Sequence, residues 1–387
     1  MDTLLSPDTL ATRLDHDESI TLLDIRNRSE IDNWRIEAAS ATRVEVPYMK
    51  FLAAGASGDP ASLLPADATE PVVAVCARGE ASDEVATMLR ETGIDAVNLA
   101  GGMEGWGQVY CTTNCATESG ILKQYRRPSS GCLAYLFVTG ESALVIDPLR
   151  AFADRYVADA KEMGAELVAV VDTHVHADHI SGLRTVTARG ATPYMSSKAI
   201  DRGVTFDVES LAPGTAFTIG DTAIDVLASP GHTTGGISLA IDGYLVCGDT
   251  LFLDGVARPD LEADNNAQAF AYDLHRTVTE RFADLPDDTV IAPGHYHDGA
   301  PQSSSVTSAS SCGHLPPIRT PSSSGLFQIL DRVRLTTSVL SESIWVASKS
   351  MIKRRLNLKL DRITVQSPQT EISRLNTAQT AAHRDDQ

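Results

Sequence analysis

The sequence predicts an α/β protein of at least two domains, followed by a tail of different composition. Three observations carry this. Short apolar runs at 20–25, 71–75 and 167–171 have the length of buried strands, and each hands over directly to polar residues able to do chemistry. Between them lie helix-length stretches with apolar residues at helical spacing, such as Val85, Met88 and Leu89. The length of 387 residues exceeds what one ordinary core fills.

The charge is uneven. The chain carries 32 Lys and Arg against 51 Asp and Glu, a net of −19. Residues 301–387 hold 11 and 6, a net of +5, so residues 1–300 hold 21 and 45, a net of −24. Such acidity repels nucleic acid and anionic membrane. No apolar run reaches membrane length, and the start, MDTLLSPDTLATRLD, lacks the basic and apolar regions of a signal peptide. Six scattered cysteines (Cys76, Cys111, Cys115, Cys132, Cys247 and Cys312) show no paired framework, which points to a reducing, cytoplasmic setting.

In chain order, Ser6 and Pro7 read as the cap and first position of a helix. The strand at 20–25 carries Asp24 and leads to Arg26. The strand at 71–75 leads to Cys76, a polar loop, a helix over 82–92, a strand at 96–99 and the turn Gly101-Gly102-Met103-Glu104-Gly105-Trp106. Residues 111–130 are polar and read as a linker. Strands at 132–138 and 143–148 follow, the second carrying Asp147 near its end, then a helix over 150–164 stopped by glycine. The run Leu167-Val168-Ala169-Val170-Val171 is a buried strand, and Thr173 to Gly182 (THVHADHISG) forms the loop beyond it. A helix near 181–189, a strand at 193–195, several short strands over 215–241, a helix over 266–285 and a strand at 289–292 complete the order. Residues 301–387, with 24 Ser and Thr among 87, read as a low-complexity, disordered tail.

The loop at 173–182 concentrates the chemistry. His174, His176, Asp178 and His179 fall within six residues, and imidazole with carboxylate suits Zn, Fe or Mn. A loop past a strand's C-terminal end is where α/β folds build sites. The thiol of Cys76 stands at a helix N-terminus, inside a loop whose backbone N–H groups favour an anionic sulfur.

HVHADH, followed by Gly182, resembles the H-x-H-x-D-H signature of the metallo-β-lactamase superfamily. Ser229-Pro230-Gly231-His232-Thr233, Cys247-Gly248-Asp249-Thr250-Leu251-Phe252 and Pro293-Gly294-His295 resemble its remaining ligand loops, in the right order. The Cys76 loop with Gly101 to Trp106 resembles a single rhodanese domain. The resemblances imply a rhodanese-like α/β domain at 1–110, the linker at 111–130, a metallo-β-lactamase αβ/βα sandwich at 131–300 and the tail at 301–387. They further imply that His174, His176, His232 and Asp249 hold one metal, and that Asp178, His179, Asp249 and His295 hold a second.

Within that superfamily, persulfide dioxygenases bind one iron through the positions matching His174, His232 and Asp249, whereas glyoxalase II–like hydrolases fill both sites. The run Ala257-Arg258-Pro259-Asp260-Leu261 resembles the dioxygenase branch, where the residue matching Arg258 contacts the substrate's carboxylate. The implied reading is a dioxygenase with one Fe(2+) per chain, acting on the persulfide of a low-molecular-weight thiol and O2. The catalytic candidates are Cys76 and Asp178, and the substrate-binding candidates Arg78 and Arg258. The alternative is a thioesterase with two Zn(2+) and a non-catalytic rhodanese module. Rhodanese loops carry arginines where this chain has Ala77 and Ala81, and Glu80 opposes Arg78, so weak thiosulfate turnover is expected. No nucleic-acid or membrane partner is expected, and self-association as a homo-oligomer stays open.

Overall fold

A computed structural model describes residues 3–296, apart from residues 177, 253–254, 260–261, 263–266 and 287, together with the backbone of a short strand at Ile318–Arg319. The expected tail at 301–387, apart from that strand, and Asp260 and Leu261 lie outside the described residues.

The N-terminal domain is a five-stranded parallel sheet. Its strands are β1 (Leu4–Leu5), β2 (Ile20–Asp24), β3 (Ala41–Glu45), β4 (Val72–Val75) and β5 (Ala96–Leu99), in the order β1-β5-β4-β2-β3. Helices α1 (Pro7–Asp15), α2 (Arg28–Asn33), α3 (Tyr48–Ser57), α4 (Glu80–Glu91) and α5 (Gly102–Trp106) connect them. Strands β2 and β4 are buried throughout, as expected for a parallel sheet covered on both faces. Helix α1 starts as its sequence implies: the Thr9 N–H donates to Ser6 Oγ at 3.0 Å, with Pro7 in the first turn.

Residues 111–130 are not a linker. They form β6 (Cys111–Ala116) and β7 (Ile121–Arg127), an antiparallel pair at the edge of a seven-stranded sheet. Their polar composition misled because an edge strand wets one side and needs few apolar residues. The sheet continues through β8 (Cys132–Thr139), β9 (Ser142–Ile146), β10 (Glu166–Val171), β11 (Thr192–Met195) and β12 (Glu209–Ser210). A second sheet runs β13 (Ala216–Ile219), β14 (Thr222–Ala228), β15 (Ile237–Ile241), β16 (Tyr244–Gly248), β17 (Val290–Pro293) and β18 (Ile318–Arg319).

The period of two in β8 sorts its residues between two cores. Leu133, Tyr135 and Phe137 face the second sheet and meet Val226, Leu239 and Val246. Ala134, Leu136 and Val138 face the opposite way, toward Tyr156 of α6 (Ala153–Glu162) and Val186 of α7 (Leu183–Thr187). Beyond the second sheet, Leu245, Cys247 and Ile291 pack on Val278 and Phe282, which follow α8 (Ala267–Arg276). Each fully buried aromatic or leucine contributes about 1.5–3 kcal/mol. The layers are therefore helix, sheet, sheet, helix, the αβ/βα sandwich that the sequence led us to expect.

The two domains meet along a polar seam. Trp34 Nε1–H donates to the Ser129 carbonyl at 3.0 Å, and Arg127 donates to the Gly107 carbonyl at 2.9 Å. Arg126 pairs with Asp15, and the Tyr110 ring stacks 3.9 Å from Phe152. Among the described residues, no helix is long and apolar enough to cross a membrane.

Candidate metal centre

The expected ligands come from four loops at strand ends. The loop after β10 carries His174, His176, Asp178 and His179. His232 follows β14, Asp249 follows β16, and His295 follows β17. Gly248, at φ +49°, makes the approach feasible: a Cβ there would lie 2.3 Å from Thr173 Oγ1 and 3.0 Å from His174 Nδ1.

His174, His232 and Asp249 converge, their donor atoms lying within 4.8 Å of one another. Each histidine has one nitrogen held by an acceptor. The Thr173 hydroxyl donates to Asp147 Oδ2 at 2.8 Å, so its oxygen accepts the His174 Nδ1–H at 2.9 Å. The His232 Nδ1–H donates to the Arg258 carbonyl at 3.2 Å. That leaves the Nε2 lone pairs of both rings 3.7 and 3.8 Å from Asp249 Oδ2. These gaps are too long for hydrogen bonds and are what ligands around a shared ion leave. Burial and the neighbouring His176 push His174 well below the usual histidine range, which favours the neutral imidazole that a metal needs. Burial pushes Asp249 up, but His295, His174 and His232 outweigh it and lower it.

His176 sits beside this group. Its Nε2 faces Asp147 Oδ1 at 3.2 Å, while its buried Nδ1 has no hydrogen-bond partner among the described residues. An orphaned buried nitrogen whose opposite nitrogen is held by a carboxylate is the arrangement of a metal-binding histidine. The donor set thus fits a hard-to-borderline ion such as Fe(2+) or Zn(2+).

Asp178, Asp249 and His295 form a second group. Asp178 is 71% exposed and 3.8 Å from His295 Nε2. His179 is placed otherwise than beside Asp178: its Nε2 is 3.2 Å from the Pro148 carbonyl, its ring stacks on His176, and its ligand nitrogen clusters with Cys132 and His295. Arg258 is exposed, with its carbonyl fixing His232.

In the N-terminal domain, Cys76 ends β4 and is 7% exposed. Its Sγ accepts the Gly79 N–H at 3.0 Å and lies 3.1 Å from the Ser82 hydroxyl, which is shared with Asn98 Oδ1 at 2.7 Å. The Gly101–Trp106 turn braces this loop: Met103 N–H donates to the Cys76 carbonyl at 2.9 Å and Glu104 N–H to the Ala77 carbonyl at 3.0 Å. A Cβ on Gly102 would lie 2.3 Å from the Cys76 carbonyl. Arg78 donates to Glu104 at 2.9 Å, so the loop's cation is already paired.

Sequence reasoning missed Asp147, Ser82 and Cys132 as site residues. Asp147 could have been suspected as a carboxylate at the end of an apolar strand. Cys132 gave no spacing signal at all.

Residues 128–295 match the family model of the Metallo-beta-lactamase superfamily, and residues 6–108 match that of the Rhodanese-like domain. The human protein "Persulfide dioxygenase ETHE1, mitochondrial" is 33% identical over 185 residues, covering 46% of this chain and 69% of that protein. "Hydroxyacylglutathione hydrolase" of Polaromonas sp. is 36% identical over 168 residues, covering 41% of this chain and 58% of that protein. The crystal structure of ETHE1 from Myxococcus xanthus is 31% identical, with a TM-score of 0.41, covering 46% of this chain and 76% of that one.

Proposed function

Given that the chain belongs to the metallo-β-lactamase superfamily, with a rhodanese-like domain ahead of the metal centre, we propose that it is a persulfide dioxygenase. The reaction is R–S–SH + O2 + H2O → R–SH + H2SO3, with R–SH a low-molecular-weight thiol. The observation that carries the proposal is the division of Asp249. Its Oδ2 faces His174 and His232, while its Oδ1 accepts the His295 Nδ1–H at 2.7 Å. A carboxylate divided in this way supports one ion held by two histidines and one carboxylate, a set that leaves positions open for substrates on Fe(2+). His174, His232 and Asp249 would hold that ion, which supplies the redox chemistry that lets O2 react with sulfur.

The chain's own residues do the rest. Asp147 and Thr173 fix the ring orientations of His176 and His174. Arg258, at the rim, would bind the carrier's carboxylate. Cys76 would carry sulfane sulfur, and joining both activities in one chain raises the local concentration of their shared intermediate.

A thioester hydrolase with two Zn(2+) is the second reading. It is favoured by the clustering of Asp178, Asp249 and His295, and by the hydroxyacylglutathione hydrolase relatives. The deciding experiment combines elemental analysis with oxygen uptake on a supplied thiol persulfide. One iron per chain and oxygen consumption are expected. Two zinc per chain, thioester hydrolysis and no oxygen uptake would overturn the proposal.

A further inference from the structure

Behind His295 lies a cluster of donors that the proposed reaction does not use. Cys132 opens β8 and is 2% exposed. Its Sγ accepts the Ser130 hydroxyl at 3.1 Å and lies 3.4 Å from His295 Nε2. The two residues face each other across an isolated antiparallel bridge. On either side, Leu133 N–H donates to the Gly294 carbonyl at 2.8 Å and Tyr296 N–H to the Gly131 carbonyl at 3.0 Å. The backbone thus fixes sulfur and imidazole together before any ligand arrives. His179 completes the group: all three residues are buried, and one ligand atom from each lies within 4.8 Å of the others.

The outer nitrogens are already occupied. His295 Nδ1–H donates to Asp249 Oδ1 at 2.7 Å, which leaves Nε2 facing the sulfur at 3.4 Å, with the exposed Asp178 farther off at 3.8 Å. His179 Nε2–H donates to the Pro148 carbonyl at 3.2 Å, which leaves Nδ1 with a lone pair. Ligand histidines are held in this way by a carboxylate or a carbonyl on the far nitrogen. Between Cys132 and His295 there is room for a proton or for a cation in its place, and a sulfur flanked by two imidazoles selects a soft or borderline ion.

We propose that Cys132, His179 and His295 form a second metal site, for a thiophilic ion of the Zn(2+) class, distinct from the position held by His174, His232 and Asp249. It differs from the second position implied by family resemblance, in which Asp178 and Asp249 are ligands and Cys132 has no part. The inference rests on the donor geometry and not on dioxygenase activity, so oxygen uptake and metal placement can fail separately.

The test uses the full chain, stripped of metal and reloaded with Co(2+) as the probe. The wild type is expected to bind two equivalents, with a sulfur-to-cobalt charge-transfer band in the near ultraviolet. Cys132→Ser should lose that band and one equivalent, while keeping the other. Asp178→Ala should keep both. A cobalt-loaded wild type without the band overturns the proposal, and this holds even if the serine variant folds poorly. A band that survives in Cys132→Ser, or an equivalent lost in Asp178→Ala but not in Cys132→Ser, also overturns it.

Discussion

Replacing Asp147 by asparagine tests whether the groups behind the ligands set the metal affinity. Asp147 is 1% exposed and accepts three hydrogen bonds: Thr173 N–H at 2.7 Å, Thr173 Oγ–H at 2.8 Å and His176 Nε2–H at 3.2 Å. Asparagine is nearly the same shape but offers one acceptor oxygen and one NH2 group. With its oxygen kept toward Thr173 N–H and His176, its NH2 faces the Thr173 hydroxyl, and that hydroxyl must turn its proton away. The proton then either stays unpaired in a buried place, at a cost of about 1–3 kcal/mol, or turns to His174 Nδ1 at 2.9 Å, which shifts the ring's own proton onto the metal-facing Nε2. The Thr173 oxygen also positions His174, so the disturbance reaches a ligand. With the amide reversed, His176 loses its acceptor instead. Either way the expected loss is roughly 10- to 100-fold in metal affinity, or about 1.4–2.7 kcal/mol. Competition against a chelator of known affinity measures this, with metal content as the readout. Metal-linked stability in urea should fall by a similar amount. If Asp147→Asn holds its metal as tightly as the wild type, the positioning argument is wrong.

His232→Ala and Asp249→Ala should each abolish iron binding while leaving the rhodanese-like domain folded. Elemental analysis with circular dichroism checks this, and iron retained near one per chain in either variant would remove that residue from the ligand set. Cys76→Ser should stop sulfur transfer but not oxygen uptake on supplied persulfide. Ser82→Ala should slow persulfide transfer several-fold, because its hydroxyl links the sulfur at 3.1 Å to Asn98 at 2.7 Å and so braces the loop, and an unchanged transfer rate would count against that role. Glu80→Arg should raise thiosulfate transfer, since Arg78 is already paired with Glu104; no change would show that charge does not limit the loop. Asp159 gives an acid limb to stability. Burial pushes its carboxyl up, but Lys123 at 2.8 Å, the Tyr125 hydroxyl and Arg155 outweigh it, so its folded value is lowered. Its stabilisation is therefore fully present above the ordinary value near 3.8 and lost as pH falls through the folded value. Asp159→Asn should cost about 3 kcal/mol near neutral pH and flatten that acid limb, and urea midpoints measured at several pH values would expose a variant that titrates like the wild type.

The candidate ligands were legible in the sequence because four of them lie in one loop, and the other three each follow an apolar strand marked by glycine. The groups that orient them were not. Asp147 lies 26 residues before Thr173, and only the parallel pairing of β9 with β10 brings them together. Cys132 and His295 are 163 apart and meet through a single strand bridge, which no local pattern announces. The β6–β7 pair escaped for a different reason. An edge hairpin leans on its neighbour, so its own composition resembles that of any polar connection. Strand cores behaved in the opposite way: β2, β4 and β10 were readable because burial on both faces demands unbroken apolar runs.

The seam between the domains limits how sulfur can travel. Trp34 grips Ser129 inside the turn that leads into Cys132, and Arg127, just before that turn, grips Gly107. The rhodanese-like domain is therefore fastened at the doorstep of the metal centre and does not swing like a lipoyl arm. A cysteine on a fastened domain delivers its cargo only to something that moves. If Cys76 carries sulfane sulfur as proposed, a diffusing thiol that loads at one loop and unloads at the other would have to take it to the metal centre. Fusion of the two domains shortens that errand without removing the courier.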